Sequence, residues 1–354
     1  MENNNNPQYG TPVNGAPQYG APMNGAPQYG TPVNGAPQYG TPMNGTPQYG
    51  APMNNMAPGG QFAPPPMGYR PPPAPRTSTL RTVIIIVATI VLYFGIEWLF
   101  ANLNAIFFKI PNTSYKLQFI GSIPVAAMLI IMVMAVMKKK HIFTAKGNGF
   151  FPGLLVGGYL IFGAVSSLFT QLFQHTDANG QPTYSAPESL TFGTEQIWLI
   201  IGVILSAGIC EELMFRGVIL NALRDRFGRD TFKGTLLAII ISGVMFGCMH
   251  FINLRAGVPL PNVLAQVVSV TGMGIFMGAV YCRSGNIKVC FFLHSFLDLC
   301  ILLPNSMTTG NDLVSSLTQT ITPAAFLGIF IYSGVTCYLL RKDVRYDLFT
   351  YDIT

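Results

Sequence analysis

Residues 195–223 read EQIWLIIGVILSAGICEELMFRGVILNAL. As a helix this run is long enough to cross the ~30 Å hydrocarbon core of a bilayer, which takes about 20 residues. It nevertheless carries Glu211, Glu212 and Arg216 near its middle. Charged side chains are costly at that depth, so they face a bundle interior or a water-filled cavity rather than lipid. The stretch therefore reads as a membrane helix built around a polar site.

The rest of the chain agrees. Of its 354 residues half are hydrophobic and a tenth charged, with a mean hydropathy of +0.41, too apolar for a soluble domain of this length. Eight apolar runs are predicted to span, near 82–103, 117–137, 150–173, 195–223, 234–253, 260–281, 286–304 and 322–340. Gly and Ala scattered through them fit packed α-helices rather than the alternating strands of an outer-membrane barrel. The expected fold is an all-α, polytopic bundle of about eight spans. Of the 20 Lys and Arg, only Lys109, Lys116 and Arg255 fall on the outer side when the N-terminus is cytoplasmic, and Arg216 lies within a helix. That asymmetry predicts cytoplasmic N- and C-termini. It also accounts for the net charge of +6 through topology and contact with anionic lipid, without nucleic acid.

Residues 7–56 are five copies of a ten-residue unit, PQYGTPVNGA in the first. Proline-rich sequence follows to about Ser78. With no charge between Glu2 and Arg70 and few aliphatic side chains, the segment buries too little apolar surface to offset the entropy of ordering. Residues 1–78 are thus expected to be a disordered Pro/Gly/Asn-rich cytoplasmic tail. Its two readings are a docking arm for a protein partner and a tether without one. The transmembrane domain is expected over 79–345, with its core at about 190–305, and a short cytoplasmic tail over 346–354. The first apolar run begins only at Thr82 and reads as an anchor rather than a cleaved leader. Cys210, Cys248, Cys282, Cys290, Cys300 and Cys337 all lie in or at the ends of spans with no CxxC pair, and are expected to be buried free thiols.

Spacing groups the polar residues further. Glu212 and Arg216, Phe246 and His250, and His294 and Asp298 are each four apart, so each pair shares one helix face. Glu212 with Arg216 predicts an ion pair. Glu211 points about 100° away and is left for chemistry. Asp298 is expected to hydrogen-bond one nitrogen of His294, leaving the other for water, substrate or metal. Glu97 beside Trp98 reads as an interfacial residue and Gln266 as a helix bridge. Glu211, His250 and His294 also suit zinc with one open position, so a zinc site and a metal-free site both remain open. One distance check is uneven. At ~1.5 Å per residue, Glu212 and His250 lie ~22 and ~24 Å from their inner helix ends, but His294 lies only ~12 Å from Asn286. Either the Ser284-Gly285-Asn286 turn is recessed into the bundle or the span begins elsewhere than Asn286.

EELMFR at 211–216, FGCMH at 246–250 and HSFLD at 294–298 resemble the EExxxR, FxxxH and HxxxN/D motifs of the CAAX prenyl endopeptidase and bacteriocin-processing family of intramembrane proteases. The resemblance covers about 190–305. It implies peptide hydrolysis in the membrane, with Glu211 activating water, His250 and His294 binding or polarising the water and oxyanion, and Glu212 and Arg216 supporting them. Phe246 and Asp298 complete the motifs, Asp298 where the family's eukaryotic prenyl proteases carry Asn. The expected catalytic residues are Glu211, Glu212, His250 and His294; the family includes members treated as metalloproteases and as glutamate proteases. The repeat tail points to a bacterial cell membrane, where a membrane-tethered, bacteriocin-like or signal peptide is the expected substrate. None of the four histidines sits in HExxH, and GxSxG and GxGD are absent from the sequence. A non-catalytic immunity or scaffold protein and a proton-coupled transporter are the competing readings; no duplicated half with paired broken helices supports the transporter.

Overall fold

The computed structural model describes residues 75–111, 114–176, 179, 181–309 and 323–341. The repeat tail to residue 74 and the segment after Arg341 lie outside the described residues, and with them the expectations for both tails. The described chain is mostly helical. Helix α1 (Thr79–Leu103) starts where the Ser78 side chain accepts a hydrogen bond from the Arg81 amide, and continues through a π-helical turn to Phe108. It is followed by α2 (Tyr115–Ile131), α3 (His141–Thr144), α4 (Phe150–Val156) and α5 (Gly158–Phe173). Next come α6 (Thr194–Val203), two π-helical runs (Ile204–Glu211 and Leu213–Leu220) and α7 (Asn221–Phe227), which together make one long rod. The chain closes with α8 (Phe232–Met249), a 3-10 segment (His250–Ala256), α9 (Leu260–Ser284), α10 (Ile287–Thr309) and α11 (Pro323–Leu339).

Against the eight expected, six of these rods are long and apolar enough to cross a membrane among the described residues, or seven spans if the bent pair described next is one: Thr79–Phe108, Tyr115–Val136, Thr194–Phe227, Phe232–Arg255, Leu260–Ser284 and Ile287–Thr308. With the family-like motifs they carry, they make this an integral membrane protein. The run expected at 150–173 is instead a pair, α4 and α5, bent by 73°. The bend falls at Gly157-Gly158, where the backbone is least restrained and Leu293 of α10 occupies the space that a Cβ on Gly157 would need. The last expected span, 322–340, is occupied by α11, whose part Leu327–Leu339 is apolar. The all-α expectation also misses an antiparallel hairpin, β1 (Gln174–Thr176) with β2 (Pro182–Tyr184), paired Gln174 to Tyr184.

The rod 194–227 is the centre of the bundle, because residues 212–224 are buried without interruption and leave no lipid-facing stripe along that stretch. Small residues let the neighbours close on it and on each other. A Cβ on Gly208 would run into Ser295 of α10, and one on Gly243 of α8 into the backbone of Ile275 on α9. At one end of the bundle the start of α1 meets the end of α7 in a polar layer. Arg226 Nε donates to Thr79 Oγ1 at 2.8 Å, Asp225 pairs with Lys139 at 3.1 Å and with Arg229, and the Thr77 amide donates to the Asp225 carbonyl at 3.0 Å.

The turn between α9 and α10 is recessed. Ser284 and Asn286 are 0% and 3% exposed. The loop before α4 covers them, with Asn148 N donating to the Ser284 carbonyl at 3.1 Å and Asn286 Nδ2 to the Lys146 carbonyl at 3.3 Å. Gly147, at φ +52° against the Ser284 carbonyl, is where only a residue without a side chain fits. This explains the short reach from Asn286 to His294. Among the described residues all six cysteines are free, but Cys248 and Cys337 are exposed rather than buried. Gln266 does bridge, accepting from Asn253 Nδ2 at 2.8 Å.

Candidate active site

The central rod changes its winding where it carries its charges. Glu211 ends the first π-helical run, Glu212 is the junction and Arg216 sits in the second. Such widened turns, with i→i+5 hydrogen bonds, recur at functional sites. Arg216 is reached from Glu212 across one turn: its Nη1 donates to Glu212 Oε1 at 2.7 Å, with the two side chains 1% and 0% exposed. Arg216 Nη2 donates to the Gly274 carbonyl at 3.0 Å, and its guanidinium lies 4.9 Å from the centre of the Phe246 ring. The predicted ion pair is present. Its bonds offset the desolvation cost only in part, since Arg216 Nε and Glu212 Oε2 are buried without a hydrogen-bond partner among the described residues.

His294 arrives from α10 and makes the bond that decides its chemistry. Its Nδ1–H donates to Glu212 Oε1 at 2.8 Å, so one carboxylate oxygen holds both Arg216 and His294. The expectation that Asp298 would orient this ring is corrected. Asp298 Oδ2 stands 3.7 Å from Nε2, outside hydrogen-bond range, although it shares the helix face as its i,i+4 spacing requires. Nε2 points toward Glu211 Oε2 at 4.0 Å as well. Two carboxylates therefore face one imidazole nitrogen at distances beyond a direct hydrogen bond, where a water seated to one side can bond to more than one of the three groups. Glu212 is fully buried, whereas the Glu211 side chain is 19% exposed and Asp298 28%. Glu212 is built into the wall, and Glu211 is accessible.

Phe246 is the hub of the apolar side. It is 1% exposed, packs edge-on to Phe215 at 4.9 Å, and meets the rings of His250 at 5.4 Å and His294 at 5.7 Å. His250 begins the 3-10 segment, its Nδ1–H donating to the Phe246 carbonyl at 3.1 Å, which leaves Nε2 open. The structure thus gathers Glu211, Glu212, Arg216, His294 and Asp298 directly, and brings His250 in through Phe246. Sequence reasoning missed the Gly274 carbonyl, because a main-chain acceptor on another helix leaves no side-chain signal.

Among the described residues no three His, Cys, Asp or Glu side chains stand together as a metal-holding group.

Residues 193–300 match a family model described as Rce1-like, type II CAAX prenyl endopeptidase, a stretch that contains every residue of the site just described. Comparison with curated proteins found no match.

Proposed function

We propose that the Rce1-like stretch makes this chain an intramembrane endopeptidase of the CAAX-protease type, hydrolysing a membrane-associated peptide with a water activated by Glu211. The observation that carries the reading is the gap between Glu211 Oε2 and His294 Nε2, 4.0 Å wide, with Asp298 on its flank and Phe246 behind. Peptide hydrolysis needs a base beside the water and donors for the oxyanion, all in a place from which bulk water is largely excluded.

In this mechanism Glu211 takes a proton from the water, whose oxygen bonds to the scissile carbonyl carbon. The oxyanion is met by His294 and His250. His294 serves while protonated on both nitrogens, since Nδ1–H stays on Glu212 and Nε2–H faces the gap. Collapse of the tetrahedral species breaks the C–N bond, and Glu211 returns the proton to the leaving amine. Glu212 and Arg216 position His294, and Phe246 packs against the guanidinium and both imidazoles. No step is routed through a metal. The basic end of the bundle is placed at the cytoplasmic face of a bacterial cell membrane, in keeping with the distribution of Lys and Arg.

The test is Glu211→Gln at matched expression, with the termini of membrane peptides compared by mass spectrometry. The proposal expects neo-termini in wild type that the variant lacks. Identical termini in both would sink it.

A further inference from the structure

The widened winding that carries the site is tied off by an asparagine outside the motifs. About one turn after Glu212 come the main-chain carbonyls of Phe215, Arg216 and Gly217, and each takes a hydrogen bond from a side chain. Ser242 Oγ on α8 donates to Phe215 at 3.4 Å, and Asn221 Nδ2 donates to Arg216 at 2.7 Å and to Gly217 at 3.3 Å. The Asn221 amide itself donates to the Val218 carbonyl, so the side chain serves the acceptors where the second π-helical run gives way to α7. Asn221 is 2% exposed. Facing two carbonyls, it can present only its nitrogen to them, which fixes the way its side chain is turned.

The same nitrogen reaches α9, where it donates to the Tyr281 hydroxyl at 3.1 Å. Seven residues earlier on α9 the Gly274 carbonyl accepts from Arg216 Nη2 at 3.0 Å, and positions seven apart share one helix face. Arg216 is thus held to one face of α9 at two levels, directly by its guanidinium and through Asn221 by its main-chain carbonyl. Its Nη1 goes to Glu212 Oε1, the atom that also takes Nδ1–H of His294. A continuous run of hydrogen bonds therefore leads from Tyr281 through Asn221, Arg216 and Glu212 to His294, with links of 3.1, 2.7, 2.7 and 2.8 Å. Because one oxygen serves both guanidinium and imidazole, a shift of Arg216 moves the atom that orients the ring.

We propose that Asn221, seated on Tyr281, is a positioning residue that sets the height of Arg216 on the central rod and, through Glu212, the place of His294 Nε2 beside Glu211. The inference rests on the peptidase reading and adds to it a residue that touches neither water nor peptide. Reacting groups displaced by about an ångström lose up to about 10²-fold in rate, so such a support acts on the chemical step.

The experiment uses the full chain in lipid nanodiscs, with kcat and KM measured on the fastest-cut member of a library of palmitoylated decapeptides. Its four histidines are labelled with 15N, and His294→Ala assigns the His294 signal. Asn221→Ala and the isosteric Asn221→Asp, which sets an acceptor against two carbonyls, should lower kcat about 10–10²-fold with KM within about twofold of wild type. The Nδ1–H signal of His294 should shift and exchange faster with water in both. Tyr281→Phe removes a single oxygen and should move both readouts the same way by less, which keeps the test alive if the Asn221 variants do not fold. Leu129→Ala, in the core of α2 and 0% exposed before substitution, is the stability control: it should lower Tm and leave the His294 signal in place. If the Asn221 and Tyr281 variants behave like that control while Glu211→Gln abolishes cutting, the positioning role is overturned and the peptidase reading stands. If wild type and Glu211→Gln give the same products, both fall.

Discussion

His294 is tied to Glu212 by a 2.8 Å hydrogen bond at Nδ1, while its own-helix neighbour Asp298 remains 3.7 Å from Nε2. The bond that sets the imidazole therefore comes from another helix. Consecutive glutamates then have different tasks: Glu212 fixes the histidine and neutralises Arg216, and Glu211 is free to act on what fills the gap.

That division predicts opposite profiles for two neighbouring substitutions. Glu212→Gln removes the charge that Arg216 needs while both groups are buried, and should cost about 3–5 kcal/mol. Thermal unfolding in detergent should show a large fall in Tm. Glu211→Gln should leave Tm near wild type and lower peptide hydrolysis about 10²–10⁴-fold. Equal Tm losses for the two would contradict the assignment of Glu212 to the wall.

Asp298→Asn tests the corrected partnership. If Asp298 oriented His294, its loss would resemble removal of the ring. With Nδ1 on Glu212, the variant should keep activity within about tenfold of wild type, whereas His294→Ala should lose at least a hundredfold, as expected for loss of an oxyanion donor. Comparable losses in the two variants would return the orienting role to Asp298.

Much of this site was legible before any coordinates, for a definite reason. Ionisable residues in apolar runs stand out against lipid, and i,i+4 spacing places Glu212 with Arg216 whatever the helix packs against. What spacing cannot supply is how helices rotate against one another. Asp298 lies on the face of His294, but the rotation of α10 turns Nδ1 to Glu212 instead. The π-helical winding around Glu211 and Glu212 had no signal in the apolar pattern, which fits a regular helix equally well. The break at Gly157-Gly158 was visible only as two glycines in an oily run, and the Leu293 side chain that fills the space beside Gly157 comes from a distant helix.

The contact that brings Glu211 to His294 should be sensitive to one methyl group. Gly208 lies against Ser295, and an added Cβ would overlap Ser295 Oγ and crowd the Phe291 carbonyl. Gly208→Ala should therefore cost about 1–3 kcal/mol by overpacking and lower activity by moving the central rod off α10. Ser295→Ala removes the overlapping oxygen and should recover part of both losses in the double variant. A double-mutant cycle in unfolding free energy reads the coupling; strict additivity would mean that the two positions are not in contact.

Removal of metal separates the two chemistries that Glu and His can support. A zinc peptidase with three protein ligands loses its activated water when stripped. Here no group of three His, Cys, Asp or Glu donors stands together among the described residues. Prolonged dialysis against a chelator, followed by elemental analysis to confirm less than about one-tenth of an equivalent of zinc, should leave hydrolysis within about twofold of the untreated protein, too small a change for loss of the group that activates the water. Loss of activity on stripping, with recovery on adding back zinc alone, would show instead that the imidazoles and Glu211 rearrange to bind it.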